Sequence, residues 1–568
     1  MKNYLRNCRT VPLMAGVALV SAFPPCAAAQ TPRSRPNIVL IIADDLGWTD
    51  LSTGRTSGGN GSRFHKTPNI DKLAAGGMAF TSAYAYQNCQ PTRAALMTGQ
   101  YAPRNGVYNV GSLARKVRGQ TLALTPPGQR VRILPDAVTI AETLKAAGYQ
   151  TAHVGKFHVS ASPEAVKTVH GFDINYGGGI KGDGGPGGYF ARKGPQRDWH
   201  FQSRGPEVDV FAAPYTADYI TKNITPFASG ADTKVLEGTP KHLTDADADA
   251  AIDFLDKHRI GAERDKPFFL NLAFGAVHTA IHPRPDLAAR YSVLKSADPR
   301  QKNAAYAALT EGMDQAVGRV LARLDDPNGD GDKSDSITNN TLVVFISDNG
   351  GFQGSTNNTP LRGGKGMFSD GGVRIPMIAR LPGRIAPGSL SDAPVHVIDL
   401  YPTFAGIAKA PLPDSKAYVL DGVSLVDVLT GKEKSPKGRE ALYWHFPGYL
   451  DTRSVPCSVI LKDIGDGKAR KRYKLMYFYE DRHYELYCLT DDLSEKKNLV
   501  ASATVPTGPT RVIAENLRTD LVAWLTRITP SYPSDPATGK PVSPPVPLSE
   551  ARYGGPRFEG RTGRAGDD

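Results

Sequence analysis

The chain has 568 residues, of which 40% are hydrophobic and 22% are charged. This composition is ordinary for a soluble globular protein. The length suits two or three domains, or one large α/β domain with a smaller appendage. The formal net charge of +12 favours polyanionic partners but does not identify one.

The first 29 residues are typical of a secretory signal peptide. Three basic residues precede an apolar run over 11–23, which is followed by Ala27-Ala28-Ala29. The three alanines predict cleavage near Ala29. Because the apolar run is short and contains Pro12, we predict no membrane span. Cleavage takes the net charge from +12 to +9, because residues 1–29 carry no acidic side chain. The protein is therefore expected to be secreted or periplasmic.

Three cysteines remain after this cleavage. Cys457 and Cys488 flank a predicted β-hairpin region and could form a disulfide, which would leave Cys89 as the odd thiol. An odd cysteine in an oxidising compartment indicates a thiol with another role. The alternative is three unpaired thiols.

Four segments are predicted to form buried parallel strands, with helices between them. This alternation favours an α/β fold with a large mixed, mainly parallel sheet sandwiched by helices. The predicted strands are 36–43, 149–154, 267–274 and 341–347, and the long helices are 139–147, 244–258 and 303–324.

Polar side chains follow each of these strands, where ligand sites of open α/β sheets lie. Carboxylate and amide oxygens there suit a hard cation, although such an acidic pair is more often a helix N-cap. A Lys-x-His pair places both side chains on one strand face, although it is usually surface chemistry. The residues are Asp44 and Asp45, Lys156 and His158, His278, and Asp348 and Asn349.

A helix at 67–76 and a short strand at 78–81 lead into the segment 88–99. Pro91 suits the first turn of a helix, so Cys89 is predicted to sit at a helix N-terminus that favours an anion. Arg93 follows one turn later on the same face. The segment therefore offers a reactive side chain beside an anion site, or alternatively a buried cysteine before an ordinary helix.

Three loops have unusual compositions. The glycine-rich stretch 176–206 is predicted to be an irregular loop or lid. Residues 326–332 resemble half of a calcium loop, but the twelfth position is Ile337, so an acidic surface loop is the alternative. In the glycine-rich loop 358–366, backbone N–H groups and Lys365 could approach an anion closely.

The pattern changes near residue 440. Short aromatic-rich segments predict a small antiparallel sheet, followed by a helix at 511–528. Beyond Thr529 the chain is rich in Pro and Gly, so we predict an extended or disordered tail. The predicted divisions are a signal peptide at 1–29, a catalytic α/β domain at 30–435, a C-terminal α+β subdomain at 436–530 and a tail at 531–568.

The segment Cys89-x-Pro91-x-Arg93, continuing to Thr98-Gly99, resembles the signature of the formylglycine-dependent sulfatases of the alkaline phosphatase superfamily. The resemblance extends over about 36–500. It implies an alkaline phosphatase-like fold and oxidation of the cysteine to formylglycine by a formylglycine-generating enzyme. It also implies one Ca²⁺, held by the modified Cys89 together with Asp44, Asp45, Asp348 and Asn349.

The same resemblance implies roles for the remaining polar residues. Arg93 would orient and activate the formylglycine, and Lys156 and Lys365 would bind sulfate oxygens. His158 would be the base that releases sulfate, and His278 would contact the ester and protonate the leaving oxygen.

This sequence departs from the family pattern at a few positions. Phe157 stands where Trp is usual, and Val277 and Ala280 flank His278-Thr279 where Pro is common. Asp370 replaces a frequent Glu.

We therefore predict a secreted sulfatase acting on a sulfated carbohydrate, with no nucleic-acid partner. Tyr443 and His445 are expected to help line the mouth of its site. The alternatives are a phosphonate or phosphodiester hydrolase of the same superfamily, and a non-catalytic binder of sulfated glycans.

Overall fold

A computed structural model describes residues 35–179, 188–195, 198–501 and 504–552. The predicted signal peptide and the last part of the predicted tail lie outside the described residues. The strands are β1 Asn37–Ala43, β2 Met78–Tyr84, β3 Ala114–Arg115, β4 Gln150–Gly155, β5 Ile174–Tyr176, β6 Arg192–Lys193, β7 Trp199–His200, β8 Phe268–Ala273, β9 Thr341–Ser347, β10 Arg374–Arg380, β11 Ser389–Ser391, β12 Val395–His396, β13 Leu442–Phe446, β14 Tyr449–Leu450, β15 Cys457–Ile464, β16 Lys471–Phe478 and β17 His483–Cys488.

The α-helices alternate with these strands over most of the chain. They are α1 Pro68–Ala75, α2 Cys89–Thr98, α3 Ala102–Asn105, α4 Ile140–Ala146, α5 Pro163–Thr168, α6 Pro206–Asp209, α7 Ala217–Tyr219, α8 Leu243–Ile260, α9 Pro285–Ser292, α10 Ala304–Asp325, α11 Asp370–Val373, α12 Leu400–Ala408, α13 Val426–Leu429 and α14 Gly508–Ile528. Within the described residues, none of the helices is long and apolar enough to cross a membrane.

The large sheet has β1 near its centre. Its strand order is β11-β2-β10-β9-β1-β8-β4-β5, with β12 also paired to β2. β1 runs parallel to both β8 and β9, and β4 runs parallel to β8, whereas β10 is antiparallel to β9 and β2. The predicted mixed, mainly parallel sheet is therefore confirmed.

Helices cover both faces of this sheet, as the continuous apolar pattern of β1 predicts. Ile38, Leu40 and Ile42 pack into a core that includes α2, α4 and α12. Val39 and Ile41 point the other way, into a core that includes α1, α8 and α10. Because both faces are covered, the polar residues that follow β1, β4, β8 and β9 gather at the carboxyl edge of the sheet, where these strands end together.

The C-terminal part contains the predicted small antiparallel sheet, in the order β13-β15-β16-β17. α14 packs on this sheet, and its apolar residues belong to the same continuous core as one face of the large sheet. The smaller α+β subdomain is therefore present, whereas its predicted boundary at residue 435 stays a prediction.

The possible disulfide between Cys457 and Cys488 is absent, and the alternative of unpaired thiols holds for Cys89, Cys457 and Cys488. Cys457 and Cys488 lie on β15 and β17, with β16 between them, and Cys457 pairs with Phe478 while Cys488 pairs with Tyr473. The two thiols are thus at opposite ends of the sheet, too far apart for a disulfide.

Tyr443 and His445 also differ from expectation, because both belong to the core. The ring of Tyr443 stacks on Trp524 of α14 at 4.8 Å. His445 is buried and contacts the Ser458 hydroxyl and the Ser531 carbonyl oxygen at 2.7 and 2.9 Å. Neither side chain lines the mouth of the predicted site.

The described part of the tail, up to residue 552, is extended but packed. Thr125 and Ser534 form an antiparallel bridge. Leu548 is fully buried, and the Tyr484 hydroxyl donates to the Val546 carbonyl oxygen at 2.5 Å. The described portion also contains a short 3-10 helix, Leu548–Glu550, and it is ordered by its contacts with the rest of the protein.

Candidate active site

The cysteine of the sequence motif is the first residue of α2. Asn88 precedes it in extended conformation, so the chain turns into the helix at Cys89 with the unpaired N–H groups of the first turn beside the thiol. α2 ends at Thr98, and the next residue, Gly99, has a φ of 65°, in the left-handed region that favours glycine. A Cβ at Gly99 would lie 2.7 Å from the side chain of Leu420, which explains the glycine in the motif.

The carboxylates that follow β1 meet this cysteine at the carboxyl edge of the sheet. Ligand atoms of Asp44, Asp45, Cys89 and His278 all lie within 4.8 Å of one another, and all four residues are buried. Asn349, which follows β9, joins them through a hydrogen bond from its Nδ2 to Asp45 Oδ1 at 2.8 Å. Four different chain segments therefore converge on one buried centre.

Three cations surround the carboxylates. Arg93 donates through Nε and Nη2 to Asp348 Oδ2 at 3.0 and 2.7 Å, and Lys156 Nζ lies 2.5 Å from Asp44 Oδ2. Lys365 Nζ lies 3.1 Å from Asp45 Oδ2. All of these side chains are nearly inaccessible to solvent.

The charges in this centre balance. With all three carboxylates ionised, they and the three cations sum to zero, so a divalent cation would leave a net charge of +2. Burying ionic groups is costly unless each is compensated, and a centre with this composition attracts an anion once a cation is present.

The donor set fits a hard metal ion. Asp44 Oδ1 and Asn349 Oδ1 are buried and have no hydrogen-bond partner among the described residues. Buried polar atoms are normally satisfied, and carboxylate and amide oxygens are the ligands that Ca²⁺ and Mg²⁺ prefer. A cation between these atoms would satisfy both of them.

The pKa values reflect the crowding of the carboxylates. Burial, together with the nearby Asp44 carboxylate, raises the pKa of Asp348 to about 7. Burial also opposes ionisation of Asp44, but Lys156 holds the pKa of Asp44 well below its usual value. A bound cation favours the ionised form of every carboxylate around it.

The Cys89 thiol is a poor nucleophile in this environment. Burial raises the pKa of the thiol far above its usual value, although Lys156 and Lys365 oppose this effect. Cysteine reacts as the thiolate. An unmodified Cys89 would therefore stay protonated and unreactive.

The two predicted histidines differ in their contacts. Nε2 of His278 lies 3.0 Å from Lys365 Nζ, and its Nδ1 lies 2.5 Å from the carbonyl oxygen of Thr279. An ammonium group can only donate, so Nε2 is the acceptor and Nδ1 carries the proton. His158 is buried, and its Nδ1 has no partner within the described part of the chain. Burial, reinforced by Lys156, lowers the pKa of His158 far below its usual value, so this imidazole is neutral.

Known proteins match this fold and this sequence. A family model described as Sulfatase matches residues 36–410, and one described as N-sulphoglucosamine sulphohydrolase, C-terminal, matches residues 364–521. The chain belongs to the sulfatase family. It is accordingly a sulfuric ester hydrolase with an alkaline phosphatase-like fold, and the family generally uses formylglycine and a divalent metal.

Individual relatives of this sulfatase extend over most of its length. A sulfatase of Formosa agariphila is 46% identical over 88% of this chain and 91% of its own. The steryl-sulfatase of Rattus norvegicus is 32% identical over 75% of each chain. A crystal structure of Ps i-CgsB in complex with k-i-k-neocarrahexaose has a TM-score of 0.62 and 27% identity, covering 89% of this chain and 96% of that chain.

Two other features of the sequence make contacts outside the centre. Phe157, which stands where Trp is usual, is buried against the rings of His170 and Phe172, so its side chain packs into the core. Residues 328–332 of the acidic loop are exposed, and the half-buried Asp326 accepts hydrogen bonds from the loop's own N–H groups. Across the described ranges, the only cluster with metal-binding spacing is the one around Asp44.

Some residues that fix the loops of the site by hydrogen bonds were not predicted from the sequence. The Tyr189 hydroxyl lies 2.6 Å from the Gly275 carbonyl oxygen and 2.9 Å from that of His278. The Asp50 carboxylate accepts from the Gly47 N–H and from the hydroxyl of Tyr306. These contacts fix the loops that carry His278 and Asp45, and no motif marks them in the sequence.

Proposed function

We propose that this sulfatase is a secreted enzyme that hydrolyses sulfate esters of a sulfated carbohydrate, using a formylglycine made from Cys89 and one Ca²⁺. Support comes mainly from one observation, the buried centre in which three carboxylates and three cations surround Cys89 at the start of α2. When present, the Ca²⁺ would supply positive charge for the sulfate oxygens, and the hydrated aldehyde would supply the nucleophilic hydroxyl.

The proposed cation ligands are Asp44, Asp45, Asp348 and Asn349, together with the modified Cys89. Of these, Asp44 and Asn349 have a buried oxygen without another partner among the described residues. Arg93 fixes Asp348 through two hydrogen bonds to Oδ2 and also donates to the Lys156 carbonyl oxygen at 2.5 Å. It therefore orients a cation ligand and one sulfate-binding lysine together.

The proposed substrate contacts come from Lys156 and Lys365. Both ammonium groups are buried, and both point at carboxylates of the centre. A sulfate group there would replace the carboxylates as partner for the two ammonium groups. Preorganised charge of this kind is the main source of catalysis in transfer of a charged group.

Two histidines are proposed to move protons. His158 has a buried Nδ1 without a partner among the described residues, so this nitrogen is placed to accept a proton as sulfate leaves the enzyme. His278 Nε2 shares a proton with Lys365 Nζ at 3.0 Å, and this pair is the proposed proton source for the leaving oxygen.

A carbohydrate substrate is supported by the net charge and by the fold neighbour that binds neocarrahexaose. The first experiment is the mass of the tryptic peptide spanning Cys89, from protein secreted by its own host. Exchange of SH and one hydrogen for a carbonyl oxygen lowers the mass, whereas ordinary oxidation of cysteine raises it.

The activity assay measures sulfate release from sulfated sugars. Cys89→Ala should abolish release, whereas Cys457→Ser, which changes another buried free thiol, should keep it. Active wild-type protein with an unmodified thiol would refute the formylglycine, and converted protein inactive on all sulfated sugars would refute the carbohydrate.

A further inference from the structure

A strip of positive charge lies beside the nucleophile segment. Residues 113–132 contain five cationic side chains and no acidic one. We call this segment the basic strip. Its cations are Arg115, Lys116, Arg118, Arg130 and Arg132, and all except the half-buried Arg115 are exposed.

One end of the basic strip is attached directly to the residues around Cys89. Gln90 Nε2 donates to the Val131 carbonyl oxygen at 2.8 Å and to the His158 carbonyl oxygen at 3.0 Å. On the other side of the cysteine, Asn88 Nδ2 donates to Asn109 Oδ1 at 2.8 Å. Arg132 directly follows Val131, whose carbonyl oxygen accepts a hydrogen bond from Gln90, the residue after Cys89.

The other end of the basic strip lies beside the loop that carries Lys365. β3, at Ala114–Arg115, pairs with β14 at Tyr449–Leu450. The Leu450 side chain packs against Gly366, the residue after Lys365, since a Cβ on that glycine would lie 2.9 Å from it. The basic strip thus passes both the nucleophile and a proposed sulfate-binding lysine.

Most of this charge is not neutralised by other described residues. Arg115 lies 4.0 Å from Asp451, and Arg130 donates to the Asn105 carbonyl oxygen at 3.3 Å. Lys116, Arg118 and Arg132 form no ion pair within the described part of the chain. Clustered like charges repel one another, and a surface of one sign raises the local concentration of oppositely charged ligands.

We propose that the basic strip binds anionic groups that flank the reacting ester on a polysulfated carbohydrate chain. This inference rests on the proposed function and deepens it. The substrate would be a polymer carrying several sulfates, and a lone monosulfated sugar or a steroid sulfate would leave the strip without a partner.

The test measures binding of fluorescein-labelled dextran sulfate to the full mature protein by fluorescence anisotropy. One variant combines Lys116→Gln, Arg118→Gln and Arg132→Gln. The control combines Arg259→Gln, Arg264→Gln and Lys266→Gln, which removes the same charge ahead of the amino end of β8, at the opposite edge of the sheet.

We expect the strip variant to raise the Kd about tenfold at low salt, because three exposed ionic contacts are lost. The control should change the Kd less than about twofold, and raising the salt should reduce the difference between the variants. The wild-type enzyme should also be inhibited competitively by dextran sulfate during hydrolysis of 4-nitrophenyl sulfate.

Equal weakening by both triple variants, or non-competitive inhibition, would overturn the proposal. Failure of the proposed function would give a different result, because the anisotropy assay measures binding of the polymer and does not require hydrolysis. In that case strip-dependent binding would persist while no sulfated sugar was hydrolysed.

Discussion

Lys474 is the cation of a fully buried ion cluster between the C-terminal sheet and the loop that carries Lys365. Its Nζ lies 3.0 Å from Asp370 Oδ1 and 3.1 Å from Glu495 Oε1, and all three side chains are inaccessible to solvent. Glu495 Oε2 also accepts the Asp370 N–H at 2.8 Å. Lys474→Met keeps the volume of the side chain but leaves two facing carboxylates without their shared cation.

The expected cost is at most about 3–5 kcal/mol of unfolding free energy, the range for removing one partner of a buried ion pair. Arg374 and Arg362 offset part of it, since they lie 3.2 Å from Asp370 and 3.7 Å from Glu495. A cost of this size is a large fraction of the roughly 5–15 kcal/mol that stabilises a typical domain. Burial raises the pKa of Asp370 and the charge of Lys474 lowers it, so removing Lys474 raises the pKa of that carboxyl in the folded variant above its value in the wild type. The loss should therefore be largest near pH 7 and should shrink as the pH falls through that raised pKa.

Chemical denaturation at two pH values measures this effect, and Lys471→Met is the matched control. Lys471 lies on the same strand, but its ion pair with Asp491 at 2.6 Å is 44% and 55% exposed. Such surface pairs contribute at most about 1 kcal/mol. Equal destabilisation by the two substitutions, or a loss at Lys474 that does not change with pH, would refute the reasoning.

Three further predictions concern the site and its surroundings. Tyr189→Phe removes the hydroxyl that donates to the His278 carbonyl oxygen and should lower kcat about tenfold with little change in KM. The control is Tyr176→Phe, which removes a hydroxyl bonded to Asp253 and should leave kcat unchanged. Chelation of divalent cations should lower the melting temperature of the sulfatase as well as its activity, and added Ca²⁺ should restore both, because a ligand that binds only the folded state stabilises it. Burial lowers the pKa of His483, but its hydrogen bonding and charge interactions with Asp481 and Glu485 together outweigh burial and raise the pKa to about 9. The stabilisation of wild type over His483→Gln should therefore be complete below about pH 6.5 and disappear as the pH rises through 9, which denaturation at several pH values would measure.

The sequence predicted the elements that its local patterns specify. The apolar run of β1 identified a strand buried on both faces, and both faces are covered in the structure. Because parallel strands end at one edge, it also followed that the polar residues after β1, β8 and β9 would meet there. The convergence of Asp44, His278 and Asn349 was therefore predictable from order along the chain.

Features that depend on register and long-range packing were not predictable in this way. Whether Cys457 and Cys488 can pair depends on which strands lie between them and on their offset, and neither is encoded locally. Tyr189 lies in a glycine-rich segment without periodicity, yet its hydroxyl reaches the loop that ends at His278. The tail has few large apolar residues, but Leu548 is buried because the rest of the fold supplies the partners.

The contacts of the two site lysines suggest how a cation and a sulfate ester would depend on each other. Lys156 and Lys365 are each bound to a carboxylate that is also a proposed cation ligand, Asp44 and Asp45 respectively. A cation on these carboxylates would weaken their hold on the lysines and would raise the charge of the centre from zero to +2. The ammonium groups would then be available to sulfate oxygens, whereas without the cation the sulfate would compete with two buried carboxylates. Binding of the cation and of the anionic substrate should therefore be cooperative, and the balance of charge in the buried centre is the physical origin of that coupling.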